Sequence, residues 1–345
     1  MKFVRKLPDI EELLAEYALS DHQKGKREAA IAQIRAILEG KDSRRLLFIG
    51  PCSADREDAV IDYISRLSIL QDRVKDRFLI VPRVYTSKPR TNGMGYKGIL
   101  HRPDLGCLQD DLSAGLVAAR KIHLHVIQQT GMYCVDEMLY PEFAYYILDL
   151  IACLTIGARS VENQEHRLTA SGVSVPVGMK NPMSGDLSVM LNGMLAAQMP
   201  QGMIYRGWEV RTEGNAHTFA VLRGYLDSSK KACPNYHYEN LCQLYDQYKQ
   251  SNLKNMSVIV DCNHSNSDKH YERQIRIAKE VADLCKEDPA LGGFVKGIMV
   301  ESYIEDGNQL VGKGIYGKSI TDPCLGWEKT ERLVLELGER WRIVS

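Results

Sequence analysis

The chain has 345 residues, 44% of them hydrophobic, and its 44 Lys+Arg match its 44 Asp+Glu, so the formal net charge is zero. A general nucleic-acid binder would be basic, which disfavours that class, and no apolar run reaches the ~18 residues of a membrane helix. Nine scattered cysteines without a CxxC pair, behind an opening Met1-Lys2-Phe3-Val4-Arg5 that lacks a signal-peptide core, point to reduced thiols in the cytoplasm.

Residues 1–45 read as a helical extension. Ile10, Leu13, Leu14 and Tyr17 fall at helical spacing over 9–19. Ile31, Ile34, Ile37 and Leu38 do so over 26–38, with Gly40 as a stop. Eight short apolar runs follow, each leading to a charged or metal-binding side chain. Residues 46–49 precede Gly50-Pro51-Cys52, 79–82 precede Arg83, 133–136 precede Glu137, and 156–158 precede Arg159. Residues 175–179 precede Lys180, 219–222 precede Arg223, 257–260 lead through Asp261 to His264, and 297–300 precede Glu301.

Stretches 55–70, 113–129, 141–153 and 274–286 read as amphipathic helices between these runs. The interval from Lys180 to Arg223 is too long for one helix, and 203–215 reads mostly as an inserted hairpin before the sixth strand. The expected fold is an α/β (β/α)8 TIM barrel over 46–345. No linker suggests a second independent domain. A barrel of this kind places its active site at the C-terminal ends of its strands.

Cys52, His264, Glu301 and Asp322 form a candidate metal set: thiolate, imidazole and two carboxylates suit Mn²⁺, Fe²⁺, Co²⁺ or Zn²⁺. No local spacing motif links them, and a lone cysteine after a strand is commonly structural. His264 has the better context, because Asp261-Cys262-Asn263-His264-Ser265-Asn266-Ser267 crowds small polar groups after an apolar strand. Arg83, Lys88, Arg90, Lys97, Arg159, Lys180 and Arg223 form a second set. Each alone could be a rim charge, but like charges converging on one mouth repel unless an anion sits among them. Arginine binds carboxylate and phosphate bidentately, so a small, multiply anionic, phosphorylated substrate is implied. Gly312–Ser319 fits GxxxxGK[ST], yet a polar stretch precedes it where a P-loop needs a strand, so its glycines are assigned to the loop that presents Asp322.

Together the segments Ile49-Gly50-Pro51-Cys52-Ser53, Arg83-Val84-Tyr85, Lys88-Pro89-Arg90-Thr91, Gly157-Ala158-Arg159 and Pro176-Val177-Gly178-Met179-Lys180-Asn181 carry a resemblance. It continues in Leu222-Arg223-Gly224, Met299-Val300-Glu301-Ser302 and Tyr316-Gly317-Lys318-Ser319-Ile320-Thr321-Asp322. Over residues 46–327 the chain resembles the type I 3-deoxy-D-arabino-heptulosonate 7-phosphate (DAHP) synthases, in their microbial, feedback-regulated branch. The resemblance implies a (β/α)8 barrel that condenses phosphoenolpyruvate with erythrose 4-phosphate and water, giving DAHP and phosphate at the entry to the shikimate pathway.

It further implies one divalent ion, Mn²⁺ foremost, on Cys52, His264, Glu301 and Asp322. Phosphoenolpyruvate would meet Arg83, Lys88, Glu137, Ala158, Arg159, Lys180 and Arg223. Erythrose 4-phosphate would meet Lys88, Pro89, Arg90, Thr91 and Asp322, and His166 would be a further pocket residue. Lys88, Cys52 and His264 would carry the catalytic roles, with Lys88 or a water on the ion protonating the new alkoxide.

The resemblance also implies a homodimer or homotetramer and an inhibitor pocket for an aromatic amino acid. That pocket would use the N-terminal arm, the segment after strand three, and the hairpin. Here the extension is about ten residues shorter than in feedback-inhibited members. Leu139-Tyr140-Pro141-Glu142-Phe143 and Met203-Ile204-Tyr205 depart from the usual sequence, while Ser174 matches a pocket serine. Two rivals are a 3-deoxy-octulosonate 8-phosphate synthase, which Lys88-Pro89-Arg90-Thr91 argues against, and a non-catalytic barrel, which would be expected to have lost ligands or cations.

Overall fold

The apolar stripes of the extension form helices α1 (Ile10–Glu16) and α2 (Asp21–Leu38) in the computed structural model, which describes residues 1–341 except 91 and 108. Asp9 caps α1, and Ser20 with Gln23 forms a capping box that starts α2. The buried face of α2, Ile31, Ile34, Ile37 and Leu38, belongs to the same apolar cluster as the strands. Four polar contacts fix where α2 lies. Tyr133 donates to Gln23 O at 2.6 Å, Arg27 to Ile151 O at 2.8 Å, Arg35 to Ser174 O, and His217 meets Glu39 at 2.8 Å. These partners all precede strands, so α2 closes the N-terminal end of the barrel, opposite the expected site.

The eight barrel strands are β1 (Arg45–Gly50), β2 (Phe78–Pro82), β3 (Val135–Glu137), β4 (Cys153–Ile156), β5 (Val177–Lys180), β6 (Thr218–Leu222), β7 (Val258–Asp261) and β8 (Val295–Glu301). All neighbours pair in parallel, in the order β2-β1-β8-β7-β6-β5-β4-β3. The parallel bridge between Arg83 and Val135 closes the ring. Strands covered on both faces read as continuous apolar runs, and β1, with Leu46, Leu47, Phe48 and Ile49 at 0% exposure, is such a case. Phe48 stacks on Phe219 across the interior at 5.8 Å.

The expected helices 55–70, 113–129 and 274–286 appear as Glu57–Val74, Leu112–Thr130 and Arg273–Glu287. The hairpin is Gly202–Tyr205 with Trp208–Arg211, between β5 and β6. One stretch differs. The helix expected over 141–153 shortens to Pro141–Ala144, and β4 begins at Cys153 rather than 156. Arginine replaces the helix as hydrogen-bond partner: Arg120 binds Tyr146 O at 2.5 Å, and Arg27 binds Leu148 O at 2.7 Å and Ile151 O at 2.8 Å. With these carbonyls satisfied, the buried run Leu150, Ile151, Ala152 can lead straight into the strand.

Candidate active site

The candidate side chains lie at or just beyond the C-terminal ends of the strands. Gly50 ends β1 against Arg83, where an added Cβ would come within 2.5 Å of Arg83 O. This approach brings Cys52 and Arg83 to the mouth together. Cys52 follows β1, Glu301 is the last residue of β8, and Asp322 stands on the loop beyond it. One ligand atom from each of these three residues lies within 4.8 Å of the others. His264 is outside that trio but adjoins it, with Nε2 3.7 Å from Glu301 Oε1. Its Nδ1 faces Asp261 Oδ2 at 2.8 Å. A carboxylate on Nδ1 fixes the ring and directs Nε2 inward, the arrangement typical of metal-ligating histidines.

Charge is densely compensated here. Lys88 Nζ donates to Cys52 Sγ at 2.5 Å and to Asp322 Oδ2 at 3.4 Å. Arg83 donates to Glu301 Oε1 at 3.0 Å, Asn263 to Glu301 Oε2 at 2.5 Å, and Lys269 to Asp322 Oδ1 at 3.0 Å. Burial pushes the Cys52 thiol up to about 12, with Glu301 adding to the effect and Lys88 opposing it. Burial also opposes ionisation of Glu301 and Asp322, yet their cationic neighbours hold both carboxyls below the usual range. A buried thiol and two ionised carboxylates beside an oriented imidazole fit a divalent transition ion.

The cations occupy the adjoining part of the mouth. Arg83 is 1% exposed, and its Nε and Nη1 have no hydrogen-bond partner among the described residues. Its guanidinium lies 4.2 Å from the Tyr85 ring centre, and Lys180 Nζ lies 5.1 Å from the same centre. Lys180 is also hydrogen-bonded to Glu137. Burial disfavours both charges of this pair, but their mutual attraction keeps Lys180 above and Glu137 below its ordinary range.

Arg223, 6% exposed, reaches Met183 Sδ at 3.2 Å. Burial lowers its pKa, and repulsion from Arg159 adds to the effect. Arg159 itself is exposed, three residues beyond the end of β4, and Ala158 beside it is half-buried. Arg90 and Pro89 are half-buried in the loop after β2, where Arg90 Nε donates to Tyr96 O at 2.8 Å. Thr91 lies outside the described residues. His166 is buried with Nε2 3.1 Å from Leu139 O and Nδ1 without a partner among the described residues. Lys97 turns away to Asp110 at 2.7 Å, so it does not join the cluster.

Sequence reasoning missed the supporting residues. Asp261 and Asn263 were visible only as part of a polar segment. Gln274, which brackets Glu301 by bonding both its N–H at 2.8 Å and its carbonyl at 3.0 Å, gave no signal on its helix. Tyr85 gives no sign in the sequence that its ring lies against both Arg83 and Lys180.

An apolar cavity of about 440 Å³ is lined by Leu7 and Ile10, by Tyr140 and Phe143, and by Met203 and Tyr205 among others, and by none of the residues of the metal set. It joins the three regions expected of an inhibitor pocket. Ser174 is not part of it: that residue is exposed, and its carbonyl accepts from Arg35.

Residues 20–335 match the DAHP synthetase I family. The chain is 37% identical over 340 residues to the Trp-sensitive phospho-2-dehydro-3-deoxyheptonate aldolase of Enterobacter agglomerans, covering 95% of this chain and 92% of that one. It is 35% identical over 347 residues to the Phe-sensitive enzyme of Escherichia coli K12, covering 96% and 95%. The solved structure of phospho-2-dehydro-3-deoxyheptonate aldolase from Francisella tularensis SCHU S4 aligns with a TM-score of 0.90 at 29% identity, covering 99% of this chain and all of that one. With the fold, the mouth residues and both sequence comparisons in agreement, the chain belongs to the DAHP synthetase I family.

Proposed function

We propose that the chain is a metal-dependent DAHP synthase, joining phosphoenolpyruvate, erythrose 4-phosphate and water to give DAHP and phosphate. The observation that carries this reading is Arg83: a buried guanidinium whose Nε and Nη1 are unpaired among the described residues, near the same tyrosine ring as Lys180 and paired to a carboxylate of the metal cluster. Buried donors left over inside a cationic mouth call for an anionic ligand. Phosphoenolpyruvate carries a carboxylate and a phosphate, which Arg83, Arg159, Lys180 and Arg223 can divide between them.

Cys52, His264, Glu301 and Asp322 would hold the divalent ion, Mn²⁺ foremost, which when bound supplies Lewis acidity toward the aldehyde oxygen. The protein's own groups do the rest. Arg90 and its Lys-Pro-Arg-Thr neighbours orient erythrose 4-phosphate, so that C3 of phosphoenolpyruvate faces the aldehyde carbon. A new C–C bond forms there, water adds at C2, and phosphate leaves by C–O cleavage. Lys88 stands between the two substrate regions. Its ammonium, which the negative groups around it keep charged in spite of burial, is placed to give the alkoxide its proton.

The apolar cavity suits an aromatic side chain, and its arm, hairpin and post-β3 lining supports feedback inhibition by an aromatic amino acid. The relatives' names divide among Trp-, Tyr- and Phe-sensitive enzymes. Ile204 and Trp208, 83% and 73% exposed on the hairpin, support a homodimer or homotetramer, with the 1–45 extension contributing. No helix among the described residues is long and apolar enough to cross a membrane, and nine unpaired thiols suit the reducing cytoplasm.

The test is loss of phosphoenolpyruvate absorbance with erythrose 4-phosphate, with and without a chelator, and with arabinose 5-phosphate as rival acceptor. Chelator-sensitive consumption with erythrose 4-phosphate alone is expected. Consumption with neither sugar, after Mn²⁺ and reductant are supplied, refutes the proposal. Adding phenylalanine, tyrosine or tryptophan singly to the same assay identifies the inhibitor, and Tyr205→Ala should relieve the inhibition.

A further inference from the structure

Three asparagines behind the cation cluster are buried: Asn181 at 0%, Asn235 at 5% and Asn266 at 6% exposure. None touches the metal trio, and each comes from a different loop of the mouth. Asn181 follows Lys180 at the end of β5, Asn235 lies beyond Arg223, and Asn266 lies two residues past His264. Their amides bond to backbone and to one another. Asn181 Oδ1 accepts from Arg223 N at 2.9 Å and from Asn235 Nδ2 at 3.1 Å. Its Nδ2 donates to Pro182 O at 3.0 Å and to Gly224 O at 2.9 Å. Asn235 Oδ1 accepts from Gly224 N at 2.7 Å, and Asn235 N donates to Asn266 Oδ1 at 2.8 Å. Asn266 Nδ2 donates to Leu222 O at 3.1 Å and to Asp261 O at 2.8 Å.

Arg223 is the residue this network encloses. Its N–H goes to Asn181, and its carbonyl accepts from Ser265 N at 3.1 Å. Both backbone groups of Gly224 go to Asn235 and Asn181. Gly224 has φ +70°, and a Cβ there would lie 2.6 Å from Asn266 N, so the turn closes directly onto the third asparagine. Three other cations of the mouth are oriented by ion pairs: Arg83 by Glu301, Lys88 by Asp322 and Lys180 by Glu137. Among the described residues Arg223 has no such partner, and its guanidinium contact is Met183 Sδ. Its aim therefore depends on its backbone. An amide of this length can donate to a carbonyl and accept from an N–H at one position; an ionised carboxylate of the same shape has no donor.

We infer that Asn181, Asn235 and Asn266 are positioning residues that tie the ends of β5, β6 and β7 together and thereby set Arg223 relative to Lys180 and His264. The inference rests on the reading that Arg223 binds phosphoenolpyruvate. Binding of an anion by several cations is sensitive to displacements of about 1 Å. Loss of the Asn235 amide therefore weakens phosphoenolpyruvate while leaving the metal ion and the second substrate in place.

The experiment compares Asn235→Ala, Asn235→Asp and Arg223→Ala with the wild-type holoenzyme. The readouts are KM for each substrate, kcat, and Mn²⁺ affinity by electron paramagnetic resonance. Asn235→Ala should raise KM for phosphoenolpyruvate about tenfold, while KM for erythrose 4-phosphate and Mn²⁺ affinity change less than about twofold. Asn235→Asp keeps the acceptor for Gly224 but loses the donor to Asn181, so it should not rescue. An unchanged KM for phosphoenolpyruvate in Asn235→Ala, or parallel losses of substrate and metal binding, overturns the inference. An unchanged KM in Arg223→Ala overturns the assignment of Arg223 itself, and the inference falls with it. Should Asn235→Ala fail to fold, Asn235→Ser, which keeps a hydroxyl acceptor, is measured against the same criteria.

Discussion

Metal binding should release one proton from Cys52, and the structure gives the size of the effect. The thiol is pushed up to about 12, chiefly by burial and then by Glu301. At pH 7 it is about five units from ionising, which corresponds to ~7 kcal/mol that the metal–thiolate bond must offset. Glu301 and Asp322 are already ionised, because both are held below the usual carboxylate range. Between about pH 7.5 and about 9 the thiol is still protonated, so log K for Mn²⁺ should rise by about one unit per pH unit. Isothermal titration in buffers of different ionisation enthalpy counts the protons directly. Cys52→Ala should bind Mn²⁺ more weakly and with a flat pH dependence. The reasoning is refuted by a flat profile in the wild type, or by an undiminished slope in Cys52→Ala.

Arg90→Ala should raise KM for erythrose 4-phosphate far more than KM for phosphoenolpyruvate; equal effects in steady-state kinetics remove Arg90 from the sugar-phosphate site. Asp261→Asn, which takes the carboxylate from His264 Nδ1, should weaken Mn²⁺ binding about 10- to 100-fold, and unchanged affinity excludes His264 as a ligand. Arg83→Met leaves Glu301 in the core without its arginine partner, so chemical denaturation should show a loss of about 3–5 kcal/mol; a neutral result means that Asn263 and His264 hold that carboxylate without Arg83. For Glu137 the folded pKa lies below the unfolded one, because Lys180 outweighs the effect of burial. Its contribution is thus complete above about pH 5 and lost as pH falls through the folded value. Glu137→Gln should lower Tm at neutral pH and flatten its acid limb below about pH 4, and an unaltered acid limb contradicts the assignment.

The sequence by itself determined the barrel and the identities at its mouth. Strands covered on both faces must be continuous apolar runs, and a chain leaving such a strand exposes its next polar residue at one end of the barrel. Eight runs followed by Cys52, Arg83, Glu137, Arg159, Lys180, Arg223, His264 and Glu301 are therefore readable without coordinates. Periodicity failed over 141–153, where the buried run could equally have been helix. Arg27 and Arg120, distant in sequence, took its carbonyls and decided otherwise.

What only the tertiary structure decided is orientation and pairing. Lys97 and Lys88 look alike in sequence, yet one turns to Asp110 and the other to Cys52 and Asp322. His264 adjoins the thiol–carboxylate trio instead of joining it, with its ring fixed by Asp261. The three buried asparagines acquire a role only when three loops meet around Arg223. Sequence fixes which groups each strand end can present, but directions and distances between groups from different strands follow from barrel closure, which no local pattern encodes.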